Sequence, residues 1–195
     1  RFRGRGRNSV NTNEALKKLL AVLMALGLFF VLGEALIRAY LRFNIAYDIE
    51  MTRYALHLKD DSPNPRIGHV HRPNSSMRLM GVPVEINSDG LRDEEYPVQR
   101  SDAYRVIFLG DSLTFGWGVK QEETFHHLLE ERLGETSPTE ILNFGTGNYN
   151  TEQEVELFLE KGLKYRPDKV VLFYFINDAE VTPVKSKLWF LGYSE

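Results

Sequence analysis

The sequence has no cysteine among its 195 residues. This absence excludes a disulfide scaffold, a cysteine nucleophile and a thiolate metal site. No internal repeat is present, and the only low-complexity tract is the Arg/Gly-rich start. Hydrophobic residues make up 43% of the chain and charged residues 26%, which is ordinary for a globular protein and excludes wholesale disorder. The length suits one membrane anchor and one modest α/β domain.

Acidic residues are scarce at the start of the chain and abundant afterwards. Residues 1–42 carry eight Lys and Arg against two Glu, a net charge of +6. Residues 43–195 carry sixteen Lys and Arg against twenty-five Asp and Glu, a net charge of −9. An acidic body of this kind is a poor general binder of nucleic acid, so we predict no nucleic-acid partner. The contrast also predicts that the two parts lie in different surroundings.

Charged residues are nearly absent from the stretch between Leu19 and Ile37, where Glu34 is the single exception. A helix that crosses a bilayer needs about 20 apolar residues. The run predicts a transmembrane signal anchor over residues 19–42 behind a basic cytoplasmic tail over residues 1–18, which places the body across the membrane. A cleaved signal peptide and a buried helix of a soluble protein remain as alternatives, although no small-x-small cleavage motif directly follows the run.

The remainder of the chain changes character near Tyr104. Residues 43–103 are rich in proline and turn signals and predict a linker, or irregular lead-in, with short strands. Residues 104–195 alternate short apolar runs with helical spacing in the order β-α-β-α-β, and short connections favour a parallel sheet. The predicted strands are Arg105–Leu109, Glu140–Asn143 and Lys169–Phe175, and the predicted helices are Gln121–Leu133 and one opened by a Thr151–Glu154 capping box.

Polar segments follow each of the three predicted strands, at Gly110–Leu113, Asn143–Asn148 and Asn177–Asp178. In parallel sheets the working residues collect just past the carboxyl ends of the strands, so these segments are expected to meet at one edge. Ser112 follows a buried strand on a turn before a helix, where a nucleophile belongs. Backbone N–H groups of Ser112 and of the Gly/Asn-rich turn, with the Asn177 amide, predict an oxyanion hole for a tetrahedral acyl intermediate.

The tetrapeptide Gly110-Asp111-Ser112-Leu113, together with Asn177-Asp178 after the third strand, resembles the signature blocks of the GDSL, or SGNH, hydrolase family. The resemblance covers residues 104–180, and Ile86–Arg92 is similar to the lead-in of membrane-anchored bacterial members. It implies a flavodoxin-like three-layer α/β/α sandwich, whose N-terminal part would be residues 104–195. It also implies ester hydrolysis or acyl transfer through an acyl-serine on Ser112, without a cofactor.

In anchored members of this family the substrates are often acetyl groups on cell-surface polysaccharides. The resemblance therefore implies an acyl ester or an acetylated glycan as substrate, in a bacterial protein. The apolar run and its basic flank predict a lipid bilayer around residues 19–42 and a single-pass protein of the cytoplasmic membrane, with its N-terminus inside and its SGNH-like domain outside. Membrane proteins are further candidate partners under the second hypothesis given below.

The family's second block usually ends in a glycine whose N–H lines the oxyanion hole, and Asn148 occupies that slot here. The residues of the turn itself leave Gly145, Gly147 and Asn148 open as candidates for this donor. By resemblance, the oxyanion hole comprises Ser112, Gly147, Asn148 and Asn177, with Asp111 and Asp178 in supporting roles.

The D-x-x-H segment that holds the family's catalytic Asp and His does not occur in this sequence. All five histidines precede the third block: His57, His69, His71, His126 and His127. Both His126 and His127 fall on the helix after the serine and are predicted at its surface. A metal pair at His69 and His71 would lack a third ligand, so no metal site is predicted.

Two hypotheses remain open. In the first, the chain is the N-terminal part of a longer membrane-anchored serine esterase or O-acyltransferase, whose Asp and His lie downstream. A sheet of this type normally has five strands and only three are predicted, which favours this view. In the second, the chain is a catalytically inactive SGNH-like subunit with a structural or assembly role in a membrane protein complex.

Overall fold

The computed structural model describes residues 12–43, 45–179 and 181–182. The chain divides into two units, Arg1–Ala46 and Tyr47–Glu195. Most of the predicted basic tail, at residues 1–11, lies outside the described residues, as do residues 183–195 at the other end of the chain.

The first unit contains one described helix, α1 (Thr12–Phe43). Its segment Glu14–Leu41 is long and apolar enough to cross a membrane, judged by length and composition. Large apolar side chains are exposed along it, as at Met24 (70%) and Phe30 (69%). A helix whose apolar side chains point to all sides, with none of these sides buried, is suited to nonpolar surroundings. The single N-terminal apolar helix that the sequence predicts is therefore present.

The second unit begins with a helix, continues through four short strands, and then alternates strands with helices. In chain order these elements are α2 (Tyr47–Leu58), β1 (Lys59–Asp61), β2 (His69–His71), β3 (Ser76–Leu79), β4 (Val82–Glu85), β5 (Tyr104–Leu109), α3 (Ser112–Phe115), α4 (Phe125–Gly134), β6 (Thr139–Asn143), α5 (Thr151–Leu157) and β7 (Lys169–Leu172).

The segment before β5 is more ordered than the sequence predicts. Helix α2 forms where only a linker with short strands is expected, and β1–β2 and β3–β4 are antiparallel pairs. Only Tyr54 and Leu58 of α2 are buried, so its apolar stripe is too short to stand out in the sequence. These two side chains pack with Leu79, Val84 and Phe115 in one buried cluster. The lead-in thus shares a core with the helix that begins at the predicted nucleophile.

Strands β5, β6 and β7 form a parallel sheet in the order β6-β5-β7. Phe108 of β5 lies opposite Asn143 of β6 and Val171 of β7. This confirms the predicted parallel sheet and places the strand before Ser112 at its centre. The order is that of the first three strands of a flavodoxin-like sheet. The other strands and layers of the full sandwich are not among the described residues, so that part of the fold stays a prediction.

Strand β7 is shorter than the sequence predicts. It ends at Leu172, whereas the apolar run suggests a strand up to Phe175. The neighbouring strand β5 ends at Leu109, which lies opposite Leu172, so the ladder between these two strands stops there. The chain then turns into a 3₁₀ helix, Ile176–Ala179.

Alternate residues of β5 serve opposite faces of the sheet. Ile107 and Leu109 belong to one buried cluster, and Val106 and Phe108 belong to another. A strand covered on both faces is typical of the centre of a parallel sheet. This explains why the segment reads as a continuous apolar run.

Helix α5 begins one residue earlier than the predicted capping box allows. The N-cap is Asn150, whose side chain accepts a hydrogen bond from the Gln153 N–H at 3.0 Å. The Gln153 side chain accepts in return from the Asn150 N–H at 3.1 Å. The predicted pair of Thr151 and Glu154 is therefore wrong by one position, because an Asn-x-x-Gln box one residue earlier caps the helix and satisfies the Asn150 and Gln153 N–H groups. Glu154 is instead buried.

Candidate active site

The predicted nucleophile, Ser112, is the first residue of α3 and is half-buried. Asp111 is the N-cap of this short helix, and its Oδ1 accepts from the Leu113 N–H at 2.9 Å. A side chain at Gly110 would collide with that of Thr114, so the turn into α3 needs glycine there. The sequence between β5 and α3 thus fixes the backbone around Ser112.

The second polar segment, Asn143–Asn148, is called the second loop below. It lies directly against the turn Gly110–Leu113, which is called the serine turn. The Thr146 N–H donates to the Gly110 carbonyl at 3.0 Å. A Cβ at Gly145 would overlap the backbone of Thr114 and Phe115, so the two loops approach as closely as backbones can. The structure therefore brings together the first and second blocks that the sequence predicts.

The backbone donors of the second segment are almost all in use. The Gly145 N–H donates to Asn143 Oδ1 at 2.9 Å, and the Gly147 N–H donates to Tyr54 Oη at 3.0 Å. Neither the Asn148 N–H nor the Ser112 N–H has an acceptor within the described residues. Of the three candidate donors in the turn, Asn148 alone is left for a ligand.

Asn148 also has the backbone shape of the glycine that it replaces. Its φ is +67°, in the left-handed region, and its side chain is exposed. Asparagine tolerates this conformation better than other residues with a Cβ. Asn148 therefore replaces the family's glycine without a change in the left-handed backbone conformation that glycine favours.

The third segment is described in part. Asp178 is buried within the 3₁₀ helix Ile176–Ala179, and its Oδ2 accepts from the Phe175 N–H at 2.7 Å. The side chain of Asn177 lies outside the part of the chain that the structure describes. An open cavity of 490 Å³ lies between the ends of β5 and β7, with Asp111, Leu113 and Phe173 in its wall. Ser112 and Asn148 are not among the residues that line this cavity.

The upstream motif Ile86–Arg92 supports the serine turn. Arg92 is fully buried, and its guanidinium donates to the carbonyls of Phe115 at 3.0 Å, of Gly116, and of Val119 at 2.6 Å. These are carbonyls at and beyond the C-terminal end of α3, which lack helical partners. The sequence indicates only a family likeness for this motif. The three hydrogen bonds of Arg92 give it a structural role.

The histidines take structural positions. His69 and His71 are buried in β2, and burial lowers the pKa of His71 to about 3. His126 is also buried, with its Nε2 3.6 Å from Asp93 Oδ1, so its predicted surface position is wrong. Among the described residues, no group of three or more His, Cys, Asp or Glu side chains could hold a metal. No side chain in this part of the protein bonds to Ser112 Oγ.

Glu154 is a buried carboxyl that the sequence analysis assigns only to a helix cap. It is fully buried, and neither of its oxygens has a hydrogen-bond partner within the described residues. Burial, and to a smaller extent the nearby carboxylates of Asp178 and Asp111, raise the pKa of Glu154 to about 8. The group is therefore held protonated at neutral pH.

This proton predicts a pH-dependent stability. The folded protein keeps it up to about pH 8, whereas the unfolded chain releases it near 4.5, so the free energy of unfolding falls as the pH rises between these values. Glu154→Gln removes the titration and should raise stability at pH 8 by roughly 1–3 kcal/mol relative to the unchanged protein. Urea unfolding at pH 5, 6.5 and 8 measures this. The exposed Glu131→Gln change is the control, and parallel pH curves for Glu154→Gln and the parent would contradict the assignment.

A comparison with protein-family models finds one match to this part of the chain. Residues 108–188 match the model of the GDSL-like Lipase/Acylhydrolase family. The matched segment begins within β5 and includes Ser112, the second loop and the third block, so the family resemblance of the C-terminal part is confirmed. The match supports a place in a superfamily of hydrolases and acyltransferases, which act on esters. A search of curated proteins finds no match.

Proposed function

We propose that the protein is a membrane-anchored serine esterase or O-acyltransferase of the GDSL type, with Ser112 as its nucleophile. One observation carries the proposal. Two backbone N–H groups without acceptors among the described residues, at Ser112 and Asn148, lie on loops that touch at the carboxyl ends of neighbouring parallel strands. Free donors of this kind stabilise an oxyanion in a tetrahedral intermediate.

In the proposed reaction, Ser112 Oγ forms a bond to the acyl carbon of an ester while its proton passes to a base. The carbonyl oxygen becomes an oxyanion, which accepts hydrogen bonds from the Ser112 and Asn148 N–H groups and from the Asn177 amide. The alkoxide then leaves with a proton, and water or an alcohol breaks the acyl-serine. The base comes from outside the described residues, as the family's D-x-x-H segment implies.

The helix α1 serves as the anchor in this proposal. The basic residues that precede its apolar stretch favour a cytoplasmic N-terminus, which places the acidic second unit outside a bacterial cytoplasmic membrane. A substrate there would be an acyl ester such as an acetyl group on a cell-surface polysaccharide. Asp111 and Asp178 then act as supports of the first and third loops rather than as triad acids, since each accepts a bond from a nearby backbone N–H.

The proposal predicts that a fluorophosphonate probe labels the full gene product in detergent, and that Ser112→Ala reduces this labelling to background. The reason is that only an activated serine reacts with the probe at an appreciable rate. Ser137→Ala, at an exposed serine after α4, is the matched control and should leave labelling unchanged.

Two results would count against the proposal. Persistent labelling of Ser112→Ala would assign the reactive group to another residue. Absence of labelling in the folded parent protein would favour the second hypothesis, a catalytically inactive SGNH-like subunit that assembles with membrane proteins. Far-UV circular dichroism of each sample shows whether the protein is folded.

A further inference from the structure

A buried polar cluster from the lead-in surrounds Gly147 in the second loop. The Gly147 N–H donates to Tyr54 Oη at 3.0 Å, and Lys59 Nζ donates to the Gly147 carbonyl at 2.6 Å. Tyr54 is fully buried, and Lys59 is 4% exposed. Tyr54 and Lys59 both precede residues 108–188, the segment that matches the family model. The family likeness therefore does not imply either contact.

The Gly147 carbonyl and the Asn148 N–H belong to one peptide unit. A trans peptide is planar, so its C=O and N–H point in opposite directions, and the described chain contains no cis peptide bond. A donor that holds the Gly147 carbonyl toward the lead-in therefore fixes the Asn148 N–H in the opposite direction. A hydrogen bond to a carbonyl also polarises its amide and strengthens the N–H as a donor.

A relay of hydrogen bonds fixes the Tyr54 side of the cluster. His71 Nδ1 lies 3.0 Å from the Gly90 carbonyl, where only a protonated nitrogen can donate. In the neutral ring the other nitrogen, Nε2, is then an acceptor, and it lies 2.6 Å from Tyr54 Oη. The Tyr54 hydroxyl thus donates to His71 and is left to accept from the Gly147 N–H.

The Lys59 side is equally enclosed. Lys59 Nζ lies 2.9 Å from His69 Nε2 and 4.4 Å from the centre of the Tyr54 ring, and His69 Nε2 lies 3.3 Å from the Gly147 carbonyl. Burial lowers the pKa of Lys59 well below its ordinary value, yet a neutral amine still donates hydrogen bonds. A Cβ at Gly147 would fall 2.8 Å from the Tyr54 ring, so the contact also requires glycine at that position.

We infer that Lys59 and Tyr54 are positioning residues for catalysis. Lys59 holds the Gly147–Asn148 peptide through its carbonyl, and Tyr54 holds the preceding Thr146–Gly147 peptide through its N–H, so that the Asn148 N–H stays available to the oxyanion. This inference rests on the proposed acyl chemistry. A reversed peptide would present the Gly147 carbonyl to the oxyanion instead, and two negative oxygens would repel each other. The lead-in therefore completes the oxyanion hole without touching the substrate.

Steady-state hydrolysis of p-nitrophenyl acetate by the full gene product tests this inference. Lys59→Met removes the donor and keeps an apolar stem, and Tyr54→Phe removes only the hydroxyl. Each is expected to lower kcat about 10- to 100-fold with KM nearly unchanged, because the oxyanion develops as the tetrahedral intermediate forms and is absent from the bound substrate. The control is Tyr96→Phe, which loses a 2.8 Å bond to Glu130 and should keep kcat.

The outcomes separate this inference from the proposed function. An active parent with unchanged kcat in both folded variants overturns the inference alone. A parent that neither hydrolyses the ester nor reacts with the fluorophosphonate overturns both. A fall in kcat that is matched by an equal rise in KM, or loss of folding in both variants, would give Lys59 and Tyr54 a merely structural role and also overturn the inference.

Discussion

Gly145→Ala is expected to reduce the free energy of unfolding by about 3 kcal/mol and to abolish labelling at Ser112. The added Cβ would overlap backbone atoms of Thr114 and Phe115, which cannot rotate away as a flexible side chain would. The second loop must therefore move away from the serine turn, and the N–H groups of Ser112 and Asn148, the proposed oxyanion donors, must separate. Urea unfolding of the full chain in detergent, followed by far-UV circular dichroism, measures the loss of stability.

Gly134→Ala is the matched control for this change. Gly134 ends helix α4, and a Cβ there would meet no atom within 4 Å. Alanine also loses less backbone entropy than glycine on folding, so this variant should be as stable as the parent or slightly more so. Equal stability of the Gly145 and Gly134 variants would show that the two loops are not in the close contact described.

Arg92→Met is expected to destabilise the protein by about 3–5 kcal/mol, the second large effect. Methionine fills much of the same volume but donates no hydrogen bond, so the carbonyls of Phe115, Gly116 and Val119 lose a charged donor. Buried acceptors without partners carry the full cost of lost hydration. Thermal unfolding followed by circular dichroism measures the shift.

Arg66→Met provides the comparison for Arg92. Arg66 is 61% exposed and forms ion pairs with Glu152 and Glu156 at the surface. Exposed pairs contribute only about 0–1 kcal/mol, so this variant should unfold close to the parent. Similar losses from the two arginines would mean that Arg92 does not brace the serine turn.

The parallel sheet and the polar segments at its edge could be predicted because their signals are local. The apolar run before Gly110 marks a strand buried on both faces, and Ser112 follows it within three residues. The β-α-β-α-β order of the elements then predicts that the segments after the three strands lie at the same edge of the parallel sheet. Nothing beyond short stretches of sequence is needed for these steps.

The supports of the site could not be predicted, because they depend on pairs that are distant in the sequence. Tyr54 and Lys59 lie 93 and 88 residues before Gly147, and both read as ordinary members of a proline-punctuated lead-in. Arg92 reads as one charge among many. A buried lysine or arginine is rare, and only the fold reveals that Lys59 donates to one backbone carbonyl and Arg92 to three.

The sequence also could not decide which of the three candidate N–H donors of the second loop is left without a partner among the described residues. Gly145, Gly147 and Asn148 are equivalent in the sequence, since each has a backbone N–H. Only the partners of these groups distinguish them: a side chain two residues earlier for Gly145 and a distant tyrosine for Gly147. The capping box of α5 was displaced for a similar reason, since Asn150 and Thr151 are both good N-cap residues.

Because Tyr54 and Lys59 of the lead-in bind Gly147, the second loop is coupled to local unfolding of α2, which hydrogen exchange of the α2 amides measures. Opening of α2 or of the β1–β2 pair withdraws Tyr54 and Lys59 together, and Gly147 in the second loop then loses its hydrogen bonds to these two side chains. Local unfolding of this kind proceeds in cooperative units rather than residue by residue. The second loop and the lead-in are therefore expected to open together, although almost a hundred residues of chain connect them.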